Sequence, residues 1–202
     1  MAFNIESFKS NGLVLGGARP SLFRVKMTFP TPLTASIGQR QASYLIKAAA
    51  LPAATIGEID VSYFGRKIKL AGDRTFSDWT ITVLNDEDFK LRNAFEEWSN
   101  AMNAMVSNRL NPQYQLSAYK VRLTVEQFGK SGPNDESGVI RAYDIVGAFP
   151  TNIAAITLDW DRNNTIEEFD VTFAYDYWEP LFIGGSLNAD RYGTTLGDDS
   201  AV

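Results

Sequence analysis

The sequence predicts a mainly β protein, an antiparallel β-sandwich or barrel with one long flanking α-helix at about 86–107 and an extended β-hairpin arm at about 55–75. Three observations lead there. Seven or eight segments alternate apolar and polar residues, the period of a half-buried strand. Clusters of Gly, Pro, Asn and Asp, the residues that turn a chain, separate them. A single stretch, after Asn85, carries a sustained apolar stripe at helical spacing.

In chain order, residues 1–20 hold Gly12, Gly16, Gly17 and Pro20 and read as an extended, loosely structured start. SLFRVKMTF (21–29) sets Phe23, Val25, Met27 and Phe29 against Arg24, Lys26 and Thr28, a half-buried strand. The PTP that follows ends it, because proline cannot continue a ladder. Residues 39–50 are expected to form a short helix that Pro52 stops. IGEIDVSYFGRKIKLAG then reads as two short strands around a turn near Phe64-Gly65. Ile59, Val61 and Tyr63 share one face of it, as do Ile68 and Leu70, while Asp60 lies opposite Lys67 or Lys69 as a favourable cross-strand charge pair.

DWTITVLN (78–85) is a strand with Trp79, Ile81 and Val83 on one side. In the helix that follows, Leu91, Ala94, Phe95, Trp98, Ala101, Met102, Met105 and Val106 form the stripe. Asn85 is its expected N-cap, and Asp86, Glu87 and Asp88 suit the positive end of its dipole. Beyond Pro112 the strands resume at 119–128, 139–149, 154–161 and 165–178, the last with Phe169, Val171, Phe173, Tyr175 and Tyr177 in one row. Residues 131–138 form a polar turn, and the Gly- and Asp-rich 181–202 are expected to be a mobile tail. The expected organisation is one domain over 1–180, with the arm in the region 43–76. So few strands need not close within one chain, and open edges invite pairing with other chains.

The composition excludes much chemistry. The 202 residues contain no cysteine and no histidine, which removes disulfides, thiolate metal sites, cysteine nucleophiles and Ser-His-Asp triads. The formal charge of −5 argues against a protein that grips duplex DNA, since such affinity comes from neutralising phosphates. No apolar run approaches the ~20 residues that cross a bilayer. The first residues show no basic-then-apolar signal pattern, so the chain is expected to stay in the cytoplasm where it is made or to leave by a route other than secretion.

FGRKIKLAGDRTF (64–76) is the segment most like a binding motif. It fails as a phosphate loop, because Gly65 and Gly72 are seven apart and Asp73-Arg74 follows where Lys-Ser/Thr is required. Its basic and aromatic residues leave single-stranded nucleic acid open as a ligand. A free two-stranded ribbon is marginal in water, so an arm bearing Ile59, Val61, Tyr63, Ile68 and Leu70 must lie on its own body or on a neighbour. Asp159, Asp161 and Asn163 resemble a calcium loop only loosely, with Asn164 in place of the loop glycine and Asp170 in place of the final Glu, and a hairpin turn explains them better. The carboxylate pairs Asp86/Asp88, Asp159/Asp161 and Glu167/Glu168 read as a helix start, a solvated face and a bulge rather than a hydrolytic pair. No catalytic, cofactor-binding or metal site is expected, and the protein is read as no enzyme.

SNGLVLGGARPSLF (10–23), the run LPAATIGEIDVSYFGRKIKLAGDRTFSDWTITVLNDEDFKLRNAFEEWSNAMN (51–103) and Tyr175–Pro180 resemble the tail tube proteins of contractile-tailed bacteriophages. The resemblance implies a β-sandwich or barrel subunit that assembles into stacked hexameric rings within a contractile sheath. It implies a continuous inner β-barrel along which double-stranded DNA passes without tight binding. The implied partners are further copies of the chain, the sheath protein, the baseplate or tube initiator and the tail terminator; the implied location is the virion tail, assembled in the host cytoplasm. The arm would then be a subunit interface formed by Ile59, Val61, Tyr63, Arg66, Lys67, Ile68, Lys69, Leu70, Asp73 and Arg74. The fold is shared with type VI secretion and pyocin tubes, so a tube subunit of a related contractile injection particle stays an alternative. A small β-barrel nucleic-acid module is the alternative of a different class.

Overall fold

The computed structural model describes residues 4–11, 17–31, 33, 39–112, 115–130 and 138–181. Its elements in order are α1 (Ile5–Asn11), β1 (Phe23–Lys26), α2 (Gln39–Leu45), β2 (Ile46–Ala49), β3 (Ala54–Tyr63), β4 (Arg66–Phe76) and β5 (Trp79–Leu84). Then come α3 (Lys90–Met102), α4 (Leu116–Tyr119), β6 (Val121–Phe128), β7 (Val139–Ile153), β8 (Glu168–Ala174) and β9 (Tyr177–Leu181). The chain is mainly β and antiparallel, and among the described residues its sheet does not close into a barrel.

β7 organises the body. Its first half pairs with β6 and β9, and its second half pairs with β8. One half-sheet therefore runs β1-β6-β7-β9 and the other β7-β8-β5-β2. The strand changes partners at Gly147, where φ is +70° and a Cβ would sit 2.1 Å from the Asp176 carboxylate. Only glycine occupies that position without strain. Asp176 in turn accepts from the Lys120 ammonium at 2.7 and 2.9 Å.

The core fills the space between the half-sheets and α3. Val25, Leu123, Val125 and Ile145 come from one half-sheet; Trp79, Ile81, Val83, Phe169, Val171 and Phe173 come from the other. α3 contributes Leu91, Ala94, Phe95 and Trp98. Trp98 packs on Phe29 and Phe173 with ring centroids 6.0 and 6.2 Å apart, and its indole N–H donates to the Tyr119 carbonyl oxygen at 3.0 Å. A buried indole thus keeps its polar atom satisfied.

Several elements depart from the sequence reading for identifiable reasons. The long helix is present but spans 90–102, and its N-cap is Phe89 (φ 52°) rather than Asn85. Asn85 is engaged elsewhere: its backbone N–H and side-chain amide both donate to Glu167, tying it to the start of β8. At the other end Asn103 is extended and the Asn100 side chain accepts the Met105 N–H, so the helix stops before Met105 and Val106, which are exposed. Asn competes in this way for backbone groups at helix ends. The helix expected over 39–50 ends at Leu45, and Ile46–Ala49 pairs with β5 as a strand. Residues 5–11 are helical where an extended start was expected. Residues 154–161, expected as a strand, form a loop, and the strand expected over 165–178 is two strands, β8 and β9, broken at 175–176. The hairpin strands are not short: they run 10 and 11 residues. The polar turn at 131–137 and the tail at 182–202 lie outside the described residues.

Candidate functional site

β3 and β4 form a two-stranded sheet of their own, paired with no other strand among the described residues. The turn is two residues, Phe64 and Gly65, both at positive φ (46° and 79°), the geometry that matches the twist of a hairpin. Glycine takes this conformation freely, whereas phenylalanine does not, so Phe64 holds a strained backbone at the fully exposed tip. Its ring meets Tyr63 edge-on at 4.6 Å.

The register sorts the arm into two faces. Ile59 lies opposite Leu70, Val61 opposite Ile68 and Tyr63 opposite Arg66. These apolar side chains are 44–64% exposed. On the other face Glu58, Asp60 and Ser62 lie opposite Ala71, Lys69 and Lys67. There the ion pairs run diagonally: Lys67 to Asp60 at 3.1 Å, and Lys69 to Glu58. Exposed pairs of this kind contribute less than about 1 kcal/mol each. Arg66, Asp73 and Arg74 have no ion-pair partner among the described residues. A bulge places Gly72 and Asp73 opposite Gly57, and a Cβ on Gly72 would come within 3.1 Å of the Gly57 carbonyl oxygen. Such a bulge increases local twist and aims the outer part of the arm.

The root of the arm is fixed to the body. The Trp79 indole N–H donates to the Ala50 carbonyl oxygen at 2.7 Å, and that of Trp178 to the Ala53 carbonyl oxygen at 3.1 Å. On the exit strand the Phe76 ring lies 5.9 Å from Tyr175. The Tyr175 hydroxyl is buried without a hydrogen-bond partner, and that burial, with the nearby Asp78 carboxylate, pushes its pKa up.

A second feature was not read from the sequence. The half-sheet β1-β6-β7-β9 turns its non-core face outward as a charge ladder. Glu126 is 2% exposed, held by Arg24 at 2.6 Å and by Lys26. Asp144 is 3% exposed and accepts from Arg122 at 3.0 Å and the Thr124 hydroxyl at 2.7 Å. Arg122 also reaches Glu179 at 3.8 Å. Three cations and three carboxylates thus neutralise one another. The readable signal was the strand alternation itself, which puts Arg24 and Lys26 on β1 beside Arg122 and Glu126 on β6.

The third feature is the loop between β7 and β8. Leu158, Trp160 and Ile166 are all exposed, Trp160 at 98%. Asp159 accepts the Asp161 N–H at 3.0 Å and lies 3.9 Å from Arg162, so its carboxylate closes a local turn. Nearby, Lys90 is held above its ordinary pKa by a hydrogen bond to Asp88 and the charge of that carboxylate.

Comparison with known proteins bears on these features. A family model described as phage tail tube protein matches residues 18–180. The tail tube protein gp19 of Enterobacteria phage T4 is 40% identical over 162 residues, covering 80% of this chain and 91% of the relative. Among solved structures, the tube-terminating cap of the anti-feeding prophage superposes with a TM-score of 0.57 at 17% identity, covering 82% of this chain and 91% of that one. A chain of the PVC sheath-tube complex, from an extracellular contractile injection system in its extended state, superposes with a TM-score of 0.53 at 15% identity, covering 90% of this chain and 100% of that one. At these identities the two structures show a shared fold.

Proposed function

This chain belongs to the phage tail tube protein family and is a structural component of the virion tail, not an enzyme; on that premise we propose that its copies form hexameric rings that stack into a hollow conduit for DNA inside a contractile sheath. One observation carries the reading: a well-packed body projects a hairpin whose apolar face is left 44–64% exposed by the described residues. Leaving Ile59, Val61, Ile68 and Leu70 in water forgoes about 25 cal/mol for each Å² of apolar surface that a neighbour could cover. The ring order comes from the sequence resemblance alone.

The rest of the molecule fits the same assembly. Each ring closes laterally by pairing the edge of β1 in one copy with the edge of β9 in the next, both unpaired among the described residues, which continues the half-sheet around the ring. The neutralised ladder of Arg24, Lys26, Arg122, Glu126, Asp144 and Glu179 then lines the bore. A wall whose cations are already paired releases few counterions from DNA and does not hold it. The arm crosses to an adjoining subunit, and the sheath, tube initiator and terminator meet the remaining surfaces.

Negative-stain microscopy of the purified protein tests this: discs or rods of uniform bore are expected, and a monomer that persists under every assembly condition overturns it. Reversing Lys67 and Lys69 to Glu should lower polymer yield at least severalfold while leaving the melting temperature of the monomer nearly unchanged, because the pairs they lose are exposed. Unchanged polymer yield removes the arm from the interface.

A further inference from the structure

We infer that the hairpin tip of one copy docks in the loop between β7 and β8 of a second copy, with Phe64 entering an acidic concavity walled by Leu158, Trp160 and Ile166. This rests on the reading of the arm as a subunit interface and names the surface that receives it.

Position is the first argument. β5 and β8 pair from Trp79↔Phe173 at one end to Leu84↔Glu168 at the other. The arm enters β5 at the Trp79 end, where Phe76 meets Tyr175. The loop enters β8 at Glu168, the opposite end. The ladder between them spans roughly 17 Å. The arm adds nine residue pairs at about 3.3 Å each beyond its root. Each copy therefore carries a projection at one end and a receiving loop at the other. Joining the two is a heterologous contact, which repeats in one direction and builds a stack instead of closing on itself.

Shape is the second argument. The loop encloses an open concavity of about 570 Å³ whose lining includes Leu158, Trp160, Ile166, Asp159 and Glu168. The tip that would enter it is an aromatic pair, Tyr63 and Phe64, the latter 90% exposed. An almost fully exposed tryptophan beside two exposed aliphatic residues gains nothing from its own fold. Trp and Tyr anchors in pockets are what dominate contact energies between proteins.

Charge is the third. Next to the tip, Lys67 and Lys69 are paired with Asp60 and Glu58, while Arg66 has no ion-pair partner among the described residues. The loop and the start of β8 carry Asp159, Asp161, Glu167 and Glu168; Arg162 lies 3.9 Å from Asp159 and Lys47 pairs with Glu168 at 2.5 Å, so four carboxylates stand against two cations. Asp86, Glu87 and Asp88, which precede α3, follow Leu84 at the same end of the ladder. Arg66 sits on the apolar face opposite Tyr63, so the unpaired cation travels with the aromatic tip. Opposed potentials of this kind fix the orientation and the register of a contact.

The test uses full-length rings carrying one defective partner each. Variant one is Phe64→Ala/Ile68→Asp in the arm; variant two is Trp160→Ala/Asp161→Lys in the loop. Each alone should form single-layer discs, with the protein concentration needed for rods raised about thirtyfold. Mixed after assembly, they should form two-layer discs and stop there, because each mixed pair can make one intact contact. Normal rod formation by the loop variant while the arm variant fails overturns this inference and leaves the arm reading standing. Normal rods from the arm variant overturn the arm reading itself. If either variant proves unstable, the Trp160 share of wild-type fluorescence, obtained by difference from Trp160→Phe, should shift to the blue as rods form; an unchanged emission overturns the inference.

Discussion

The arm and the β5–β8 ladder are built by the same rule and meet opposite ends. Both are antiparallel ribbons with apolar residues at every second position. In β5–β8 the row Trp79, Ile81, Val83, Phe169, Val171 and Phe173 is covered by α3 and the other half-sheet, with exposures of 0–3%. In β3–β4 the row Ile59, Val61, Tyr63, Ile68 and Leu70 remains 44–64% exposed. Alternation dictates that a ribbon has a face to bury; it does not say whose atoms bury it. A row covered within the chain supports the stability of one molecule, and a row left open supports association.

Substitutions in each region should separate these two roles. The largest effect on the isolated chain is expected at Trp98, whose side chain is fully buried among Phe29 and Phe173. Trp98→Ala should cost about 3–5 kcal/mol in urea unfolding, a large share of a domain's total stability. A loss under ~1 kcal/mol would show that α3 is not integral to the body. Next comes Gly147→Ala, which forces a left-handed backbone and a Cβ into the Asp176 carboxylate. It should cost about 2 kcal/mol, read from the same unfolding curves, and weaken both half-sheets together. The smallest effect belongs to the arm. Val61→Asp should change monomer stability by less than ~0.5 kcal/mol while abolishing rods in the microscope. If it unfolds the monomer instead, the contrast between the two ribbons fails.

Much of this architecture was legible from residue order. β1, β5 and β6 show clean alternation, and the sides assigned to Val25, Ile81 and Leu123 are the buried ones. The arm's two faces were legible too, because Ile59, Val61, Ile68 and Leu70 alternate with charges. Three features were not. Ile156, Leu158 and Trp160 alternate as a strand would, yet pair with no strand among the described residues, since ladder formation depends on a partner rather than on pattern. The change of partners along β7 turns on the backbone angle of Gly147, which composition does not encode. The burial of Glu126 depends on cations from β1, 102 residues away from Glu126 in the case of Arg24. For the candidate interface, sequence located the apolar and basic residues; the internal pairing of Lys67 and Lys69, and the lack of an ion-pair partner for Arg66 among the described residues, required coordinates.

The root of the arm has a mechanical consequence. Two indole N–H groups grip the entering strand at Ala50 and Ala53, and an aromatic contact braces the exiting one at Phe76. A hairpin clamped on both legs behaves as a cantilever, whose angle is set by its mounting rather than by its own flexibility. Load applied to the free tip reaches Trp79 and Trp178, and through Trp79 the interior of the body. An assembly joined by such beams resists bending as a rigid pipe does, and its compliance is concentrated at the far ends of the beams.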